Sequence, residues 1–543
     1  MPVIHASKEL FEKHGLSLED VEQSIIHLGG EVKQEEDKLV FEVGANRWDL
    51  FTPEGIMHAI LLFLGRKKPE KIKLENSGIV LQVDHSVKSV RPFVVCAVVE
   101  NIEIDGNYIA ELMQIQEKLH ETIGRKRKKL AIGIHDLDKV TPPFTYKALK
   151  PESIAFEPLG FNEVMNLREI LEKHPKGIEY AWILEDAEKY PVILDENGNV
   201  LSFPPIINGN LTEVTENTRN LFIDMTGTDL RTLKFALNVL TYSMHMRGGK
   251  IKSVEIQDEK KFYTPDFTWK RKVVKKEEIA SLLGIEIPSV SPLLEKMGYI
   301  VAENGNELLV EVPSYRCDVI HNVDIIEDVG IAYGYDNLRE CLPQAFTIGK
   351  PNPLSEIEEV VRNFFIGMGA QEIHSFVLGS ERELFINMGL KPEEIKVVRA
   401  KNPKSIEYSI ARYSLIPGML RTISINQRHA LPLKFFEIGL VLEPEEKQKC
   451  CFATVHSKAS FSEIKSVAES FLTEFEIDYT LAAVELPYFI SGRGSKVMRN
   501  NKVMGVLGEG HPMTLEKFGI GYPVAVFEFA VSDLLLCQRD FNC

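Results

Sequence analysis

Apolar residues return at two different periods along this chain, and the switches between the periods mark its elements. From Tyr108 to Gly124, residues Ile109, Leu112, Ile115, Leu119 and Ile123 recur at steps of three or four. That period places them on one face of an α-helix. It also predicts helices in SLEDVEQSIIHLGG, TPEGIMHAILLFLG, DLRTLKFALNVLTYSMHMRGG and EIEEVVRNFFIGMG. Ser7 and Ser17 stand where helix N-caps belong, and Thr52 followed by Pro53 reads as a cap and a first helical residue. Alternating or short apolar runs predict strands in KLVFEV, RPFVVCAVVENI, KLAIGIH, NLFIDMTG, LKFFEIGLVLE, KVMGVLGEG and VAVFEFAV. YIVAENGNELLVEV sets Asn304-Gly305 between two alternating segments, a hairpin signature.

A chain of 543 residues is too long for one core, and these elements group into four units, an α+β multidomain protein. Residues 1–72 form a small α+β unit, and 73–262 mix apolar strands with helices. The latter region contains the stretch GNVLSFPPIINGNLTEVTENTRN, read as a long loop of the kind that carries function. Residues 263–345 read helix, helix, hairpin, helix, a winged-helix-like order. Residues 346–543 alternate helices and strands, which pack most simply as an antiparallel sheet flanked by helices.

Composition narrows the class. The 44% hydrophobic and 26% charged content is that of an ordinary soluble protein. No apolar run approaches the ~20 residues of a membrane helix, and the N-terminus lacks an apolar signal core. Seven cysteines without a C-x-x-C argue against a disulfide framework and a zinc site. A cytoplasmic protein without membrane contact is expected. The net charge of −16 argues against indiscriminate nucleic-acid binding. Basic runs at 66–73, 125–129 (RKRKK) and 270–276 suit either solvated loops or a polyanion touched at chosen points.

The stretch VPSYRCDVIHNVDIIEDVGIAYGYDNL holds four acids. With Asn322 as N-cap and Gly334 as stop, Ile325, Ile326, Val329, Ala332 and Tyr333 share a face, and Asp324, Glu327 and Asp328 take the opposite one. Like charges at this spacing repel by about 0.2–0.5 kcal/mol per pair, while acids in a first turn gain about 0.3–1 kcal/mol from the helix dipole. A metal reading brings Asp318 back from the preceding loop, giving four oxygen donors of the kind Mg²⁺ takes. Spacing leaves both readings open.

The same stretch resembles the central module of phenylalanyl-tRNA synthetase β subunits. NRWDLFTPEGI resembles that family's N-terminal motif. AIGIHDLDKVTPPFTY, FPPIINGNLTEVTENTRNLFIDMTGTD, SLIPGMLRTISINQRHALPLKFFEIG and GRGSKVMRNNKVMGVLGEGHP look like its archaeal and eukaryotic branch. The length also fits that branch, with no room for the inserted oligonucleotide-binding and C-terminal anticodon-binding domains of bacterial forms. The resemblance implies an α₂β₂ enzyme that joins phenylalanine to tRNA(Phe) with ATP, the ATP and phenylalanine being bound through the α subunit. It implies magnesium ligands at Asp318, Asp324, Glu327 and Asp328, the last an Asp where many relatives carry Glu. It makes 346–543 a class II synthetase-like domain without its own active site. KFFEIG has Phe where the phosphate-clamping Arg of F-R-x-E is needed, and SGRGSKV supplies Arg493 without the second motif's spacing.

The resemblance also makes 73–262 an editing module that hydrolyses tyrosyl-tRNA(Phe). A purely apolar pocket rejects an added hydroxyl only about 10²-fold, so a second hydrolytic site is called for. The candidate residues are Ser202, Asn208, Asp224, Thr226 and Thr228, with Asp224, Thr226 and Thr228 alternating onto one face of a strand. Turn and cap roles are the competing reading for the group. His135 is taken as a hydrogen-bonded structural histidine, and GEGHP as a turn. The alternatives to an editing subunit are a structural, tRNA-binding subunit without editing and a free-standing deacylase.

Overall fold

Helix Leu18–His27 begins on a reciprocal cap: the Ser17 hydroxyl accepts the Asp20 N–H at 3.1 Å, and the Asp20 carboxylate accepts the Ser17 N–H at 3.0 Å. Thr52 caps helix Pro53–Phe63 through the Gly55 N–H at 3.0 Å. A side chain at Gly55 would collide with the Asp49 carbonyl, so the tight entry needs glycine. Ser7 precedes helix Lys8–Lys13 as expected but makes no side-chain cap bond. These helices pack on an antiparallel sheet with Lys38–Glu42 between Val3–Ser7 and Glu31–Glu35. The computed structural model describes residues 2–342 and 347–534, which divide into two compact units, Met1–Leu342 and Pro343–Cys543. The boundary expected at 345/346 lies outside the described residues.

The apolar segment GIMHAILLFLG is core: helix Pro53–Phe63 is buried along most of its length. It lies against helix Leu230–Met246, with His58 Nε2 2.8 Å from the Tyr242 hydroxyl and the Ser243 hydroxyl donating to Glu54 at 2.8 Å. No helix among the described residues is long and apolar enough to cross a membrane.

The middle of the first unit is a large mixed sheet. Its main path runs Ile207–Asn208, Val200–Phe203, Tyr190–Leu194, Phe144–Leu149, Glu75–Val83, Lys250–Gln257, Phe93–Glu100, Leu221–Gly227 and Leu130–Asp136. Glu75–Val83 runs parallel to both its neighbours, and the other pairings on this path are antiparallel. The two ends of the path meet: the Asn208 amide donates to the Ile134 carbonyl at 3.4 Å, and the Ser202 hydroxyl lies 3.4 Å from Asp224 Oδ1. The sheet therefore curls on itself. Two expectations change here. The stretch 198–220 is not one loop but holds two strands and a short helical turn, Asn210–Thr212. Buried Val200, Leu201 and Phe203 make the first strand, and the proline pair at 204–205 in the turn masks the alternation. Thr228 lies beyond the strand, which ends at Gly227, and is exposed, so it does not share the Asp224 face.

The last part of the first unit is an antiparallel sheet, with Glu307–Val312 between Lys270–Lys275 and Ile300–Asn304, and helices Lys276–Leu283, Ser291–Lys296 and Asn322–Tyr333. The acidic helix starts one residue earlier than predicted. His321 holds the cap position, and the Asn322 amide instead reaches the Val273 carbonyl at 2.9 Å.

The second unit carries a seven-stranded sheet, antiparallel except for the short strand Gln371–Glu372 beside Leu433–Leu442. Helices Pro353–Gly367 and Phe461–Glu474 cover one face, and helix Ile416–Asn426 covers the other. Neighbouring Cys450 and Cys451 belong to opposite cores, the alternation of a strand buried on both sides. Phe435, at the position of the expected clamp arginine, is buried against helix Ile416–Asn426. Glu437 pairs with buried Arg412 at 2.6 Å, and Arg493 pairs with Glu509 at 2.7 Å.

Candidate functional site

Where the curled sheet meets itself, a cleft of about 180 Å³ opens, lined by Ser202, Asn208, Asp224 and Thr226 with apolar walls from Ile132, Pro205 and Ile207. Four of the five candidate residues thus converge, and Thr228 does not. Asp224 is 2% exposed. Its Oδ1 stands 2.7 Å from His135 Nε2, and His135 Nδ1 lies 2.8 Å from the Thr212 hydroxyl. An ionised carboxylate only accepts, so Nε2 carries the proton toward Asp224. Asp224 is paired in register with Gly133, two residues from His135 on the neighbouring strand. A Cβ on Gly133 would overlap Asp224 Oδ1 and lie 2.7 Å from His135 Nε2. Glycine there is what lets the carboxylate reach the imidazole.

Sequence reasoning set His135 aside. The signal was the alternation in Gly133-Ile134-His135, which puts the histidine and the empty glycine position on one strand face. It also missed Arg91. This buried guanidinium donates through Nε to the Thr226 hydroxyl at 2.8 Å and through Nη2 to the Thr226 carbonyl at 2.6 Å. Burial lowers its pKa to about 10, which leaves it cationic at neutral pH. A lone arginine in the segment RPF carries no pattern to flag it.

Glu117, His120 and Arg127 line another side of the cleft. Arg127 donates to the Ile206 carbonyl at 2.9 Å and to Glu117 at 2.7 Å. His120, pushed down to about 4 by burial, is neutral, and its Nε2 accepts the Ile132 N–H at 2.9 Å. The His120 imidazole and then the Arg127 guanidinium hold Glu117 down to about 2 against its partial burial. The cleft therefore joins apolar walls to a fixed, buried acceptor at Asp224, with Glu117 and Arg127 paired to each other on another side. That arrangement selects a ligand with an aromatic or aliphatic body and a hydroxyl donor.

The four acids of the central module line a second, wider cleft of about 900 Å³, together with Arg47, Lys129, Arg231 and Arg316. Three of the four acids find partners within this chain. Buried Arg316 grips Asp318 through Nε at 2.9 Å and Nη2 at 2.7 Å, and Nη2 also reaches Asp328 at 2.6 Å. The Tyr299 hydroxyl donates to Asp328 as well. Asp324 accepts the N–H groups of Ile320 and His321, both at 2.6 Å. Glu327 faces solvent. Burial opposes ionisation of Asp318, but Arg316 and Arg47 outweigh it and hold the carboxyl below its usual range. Among the described residues no three His, Cys, Asp or Glu side chains are grouped to hold a metal. Asp318, Asp324 and Asp328 are thus engaged within the chain while Glu327 is open to solvent, and no chemical step is derived through a magnesium ion.

Comparison with known proteins places these features in a family. Three family models match: the B3/4 domain at 102–246, the tRNA synthetase B5 domain at 273–335, and the phenylalanyl tRNA synthetase beta chain CLM domain at 338–531. The chain is 38% identical over 541 residues to a phenylalanine–tRNA ligase beta subunit of Methanothrix thermoacetophila, covering 98% of this chain and 100% of the relative. It is 37% identical over 557 residues to that of Pyrococcus abyssi, again covering 98% and 100%. A crystal structure of an N-terminal fragment of the phenylalanyl-tRNA synthetase beta subunit from Pyrococcus horikoshii matches with a TM-score of 0.59 and 40% identity, covering 62% of this chain and all of the fragment. The chain belongs to the phenylalanine–tRNA ligase beta subunit family.

Proposed function

We propose that this chain serves as the β subunit of a phenylalanine–tRNA ligase and that its Asp224 cleft hydrolyses tRNA(Phe) mischarged with tyrosine. The observation that carries the editing reading is the buried Asp224 carboxylate, fixed by His135 at one wall of an apolar slot. The phenol of a tyrosyl ester would donate its hydrogen bond to Asp224. A phenylalanyl ester would leave that acceptor unpaired, and sites built around a hydroxyl reject the analogue lacking it by about 10⁴–10⁵. Water then attacks the ester carbonyl, the bond to the ribose oxygen breaks, and that oxygen takes up the proton. Asn208 and Ser202, at the meeting edges of the sheet, are polar groups placed to orient the ester and the water.

Synthesis itself is assigned to an α subunit that binds ATP and phenylalanine, in an α₂β₂ assembly acting on tRNA(Phe) in the cytoplasm. Burial of Phe435 where a phosphate-clamping arginine is needed supports that division. Magnesium has no step in this scheme; Asp318 and Asp328 are held by Arg316, Asp324 by backbone N–H groups, and Glu327 stays exposed. The test is to co-express the chain with an α subunit and assay the complex on tyrosyl-tRNA(Phe). Rapid deacylation that is lost in the Asp224→Ala, Thr226→Ala double variant supports the proposal. Failure to deacylate, or unchanged deacylation in the variant, refutes the editing assignment. Failure to co-purify with α refutes the subunit assignment.

A further inference from the structure

Three consecutive non-glycine residues, Arg125, Lys126 and Arg127, hold left-handed backbone with φ of 47°, 55° and 64°. Such backbone costs of order 1–3 kcal/mol per residue and persists where surrounding structure enforces it. Here the enforcing group is Arg91, whose guanidinium donates to the carbonyls of Arg127 and Lys128 at 3.1 and 3.0 Å while also holding Thr226. The turn sorts the basic run. Arg127 is folded inward against the cleft, and Lys129 is paired with Asp229 at 2.9 Å. Arg125, Lys126 and Lys128 stay exposed and have no ion pair among the described residues.

Aromatic rings interleave with these cations. Lys128 Nζ lies 6.0 Å from the centre of the Trp182 ring, which is 45% exposed. Tyr180 stands between Arg127 at 4.4 Å and Lys176 at 5.6 Å, and Lys176 lines the same cleft as Asp224. Free cations beside an exposed indole make the surface that a flexible polyanion with flat bases occupies. Phosphates take the cations, and a base stacks on the ring.

We infer that Arg125, Lys126, Lys128 and Trp182 form a binding strip for single-stranded RNA at the mouth of the Asp224 cleft, taking the 3′-terminal nucleotides whose ester enters the cleft. The inference rests on the editing reading for its occupant. The placement serves it directly, because Arg91 ties the strip's backbone to the cleft wall, so the strand is delivered at a fixed distance from Asp224.

The test uses the complex of this chain with its α subunit and two substrates: a short single-stranded RNA with the tRNA(Phe) 3′ sequence carrying a tyrosyl ester, and tyrosyl-adenosine. The Arg125→Gly, Lys126→Gly variant removes two charges while glycine accepts the left-handed backbone, so its melting temperature should not fall. For the RNA ester, the slope of log(kcat/KM) against log salt should shrink by about 1.4, at ~0.7 per lost phosphate contact on a single strand. Trp182→Ala should lower kcat/KM for the RNA ester about tenfold or more, from a stacking loss of ~1–3 kcal/mol. Both variants should hydrolyse tyrosyl-adenosine as the unaltered complex does. An unchanged slope together with unchanged RNA-ester kinetics overturns the strip. If the unaltered complex hydrolyses neither ester, the editing reading fails, and the strip is then judged by binding of the uncharged RNA. Binding weakened in both variants upholds it, and equal binding overturns it.

Discussion

His135 Nε2 and Asp224 Oδ1 lie 2.7 Å apart at the bottom of the cleft, both nearly inaccessible to solvent. The imidazole leaves the carboxylate one open role, that of acceptor for a hydroxyl entering from the slot. Replacing His135 by Ala leaves the buried carboxylate without the partner that fixes it. The α/β complex carrying His135→Ala should lose discrimination, so that its deacylation rates for tyrosyl- and phenylalanyl-tRNA(Phe) approach each other. Parallel rates on both substrates check this. A preference equal to that of the unaltered complex would show that Asp224 does not depend on His135.

Gly133→Ala places a methyl group against Asp224 Oδ1. Overpacking of this sort costs about 1–3 kcal/mol, and here it also displaces the acceptor. Deacylation of tyrosyl-tRNA(Phe) should fall at least tenfold while aminoacylation by the complex is unchanged.

Arg316 is the common partner of Asp318 and Asp328. Removing one member of a buried ion pair costs about 3–5 kcal/mol, and Arg316→Met should destabilise the chain by that order in denaturant unfolding. Asp318 has a folded pKa below its ordinary value, held there by Arg316 and Arg47 against burial. Its contribution is thus present above the unfolded value of about 3.9 and lost as pH falls through the lower folded value. Asp318→Asn should flatten the acid limb of the stability profile. Because Asp318, Asp324 and Asp328 draw their partners from the chain, EDTA should leave the melting temperature of the isolated chain unchanged.

Glu111 behaves in the opposite sense. Burial, followed by the negative charge of Glu54, raises it to about 7, while Arg247 and the Ser7 N–H pull it down and Asp105 pushes it up. The folded chain therefore holds this proton more tightly than the unfolded chain, whose glutamate titrates near 4.3. Stability from this group is complete below about pH 4.3 and is lost as pH rises through 7. Melting temperatures should decline between pH 5 and 8, and Glu111→Gln should reduce that decline.

How much of this was legible in the sequence depended on how local each cause is. Ser17, Thr52 and the Asn304-Gly305 turn act through neighbours a few residues away, and reading them needed no tertiary knowledge. Asp224 and Thr226 were legible as alternating positions on a strand. His135, Arg91 and Thr212 were not, because their contacts span 77 to 135 residues and exist only once strands distant in sequence have paired. Thr228 was misplaced for a related reason: the alternation continues past Gly227 while the strand does not. Asp318 shows the limit of spacing most clearly. Its main partner, Arg316, sits two residues before it, and nothing in the spacing of the acids revealed that the guanidinium would take both Asp318 and Asp328.

The central claim is that Asp224 reads the tyrosine hydroxyl. The measurement closest to it is the ratio of deacylation kcat/KM for tyrosyl- over phenylalanyl-tRNA(Phe), taken on the α/β complex with Asp224 and with Asp224→Ala. The unaltered complex should prefer the tyrosyl ester by about 10⁴ or more, and the variant's preference should collapse toward the ~10² or less of an apolar slot. A preference that survives Asp224→Ala undiminished would contradict the account.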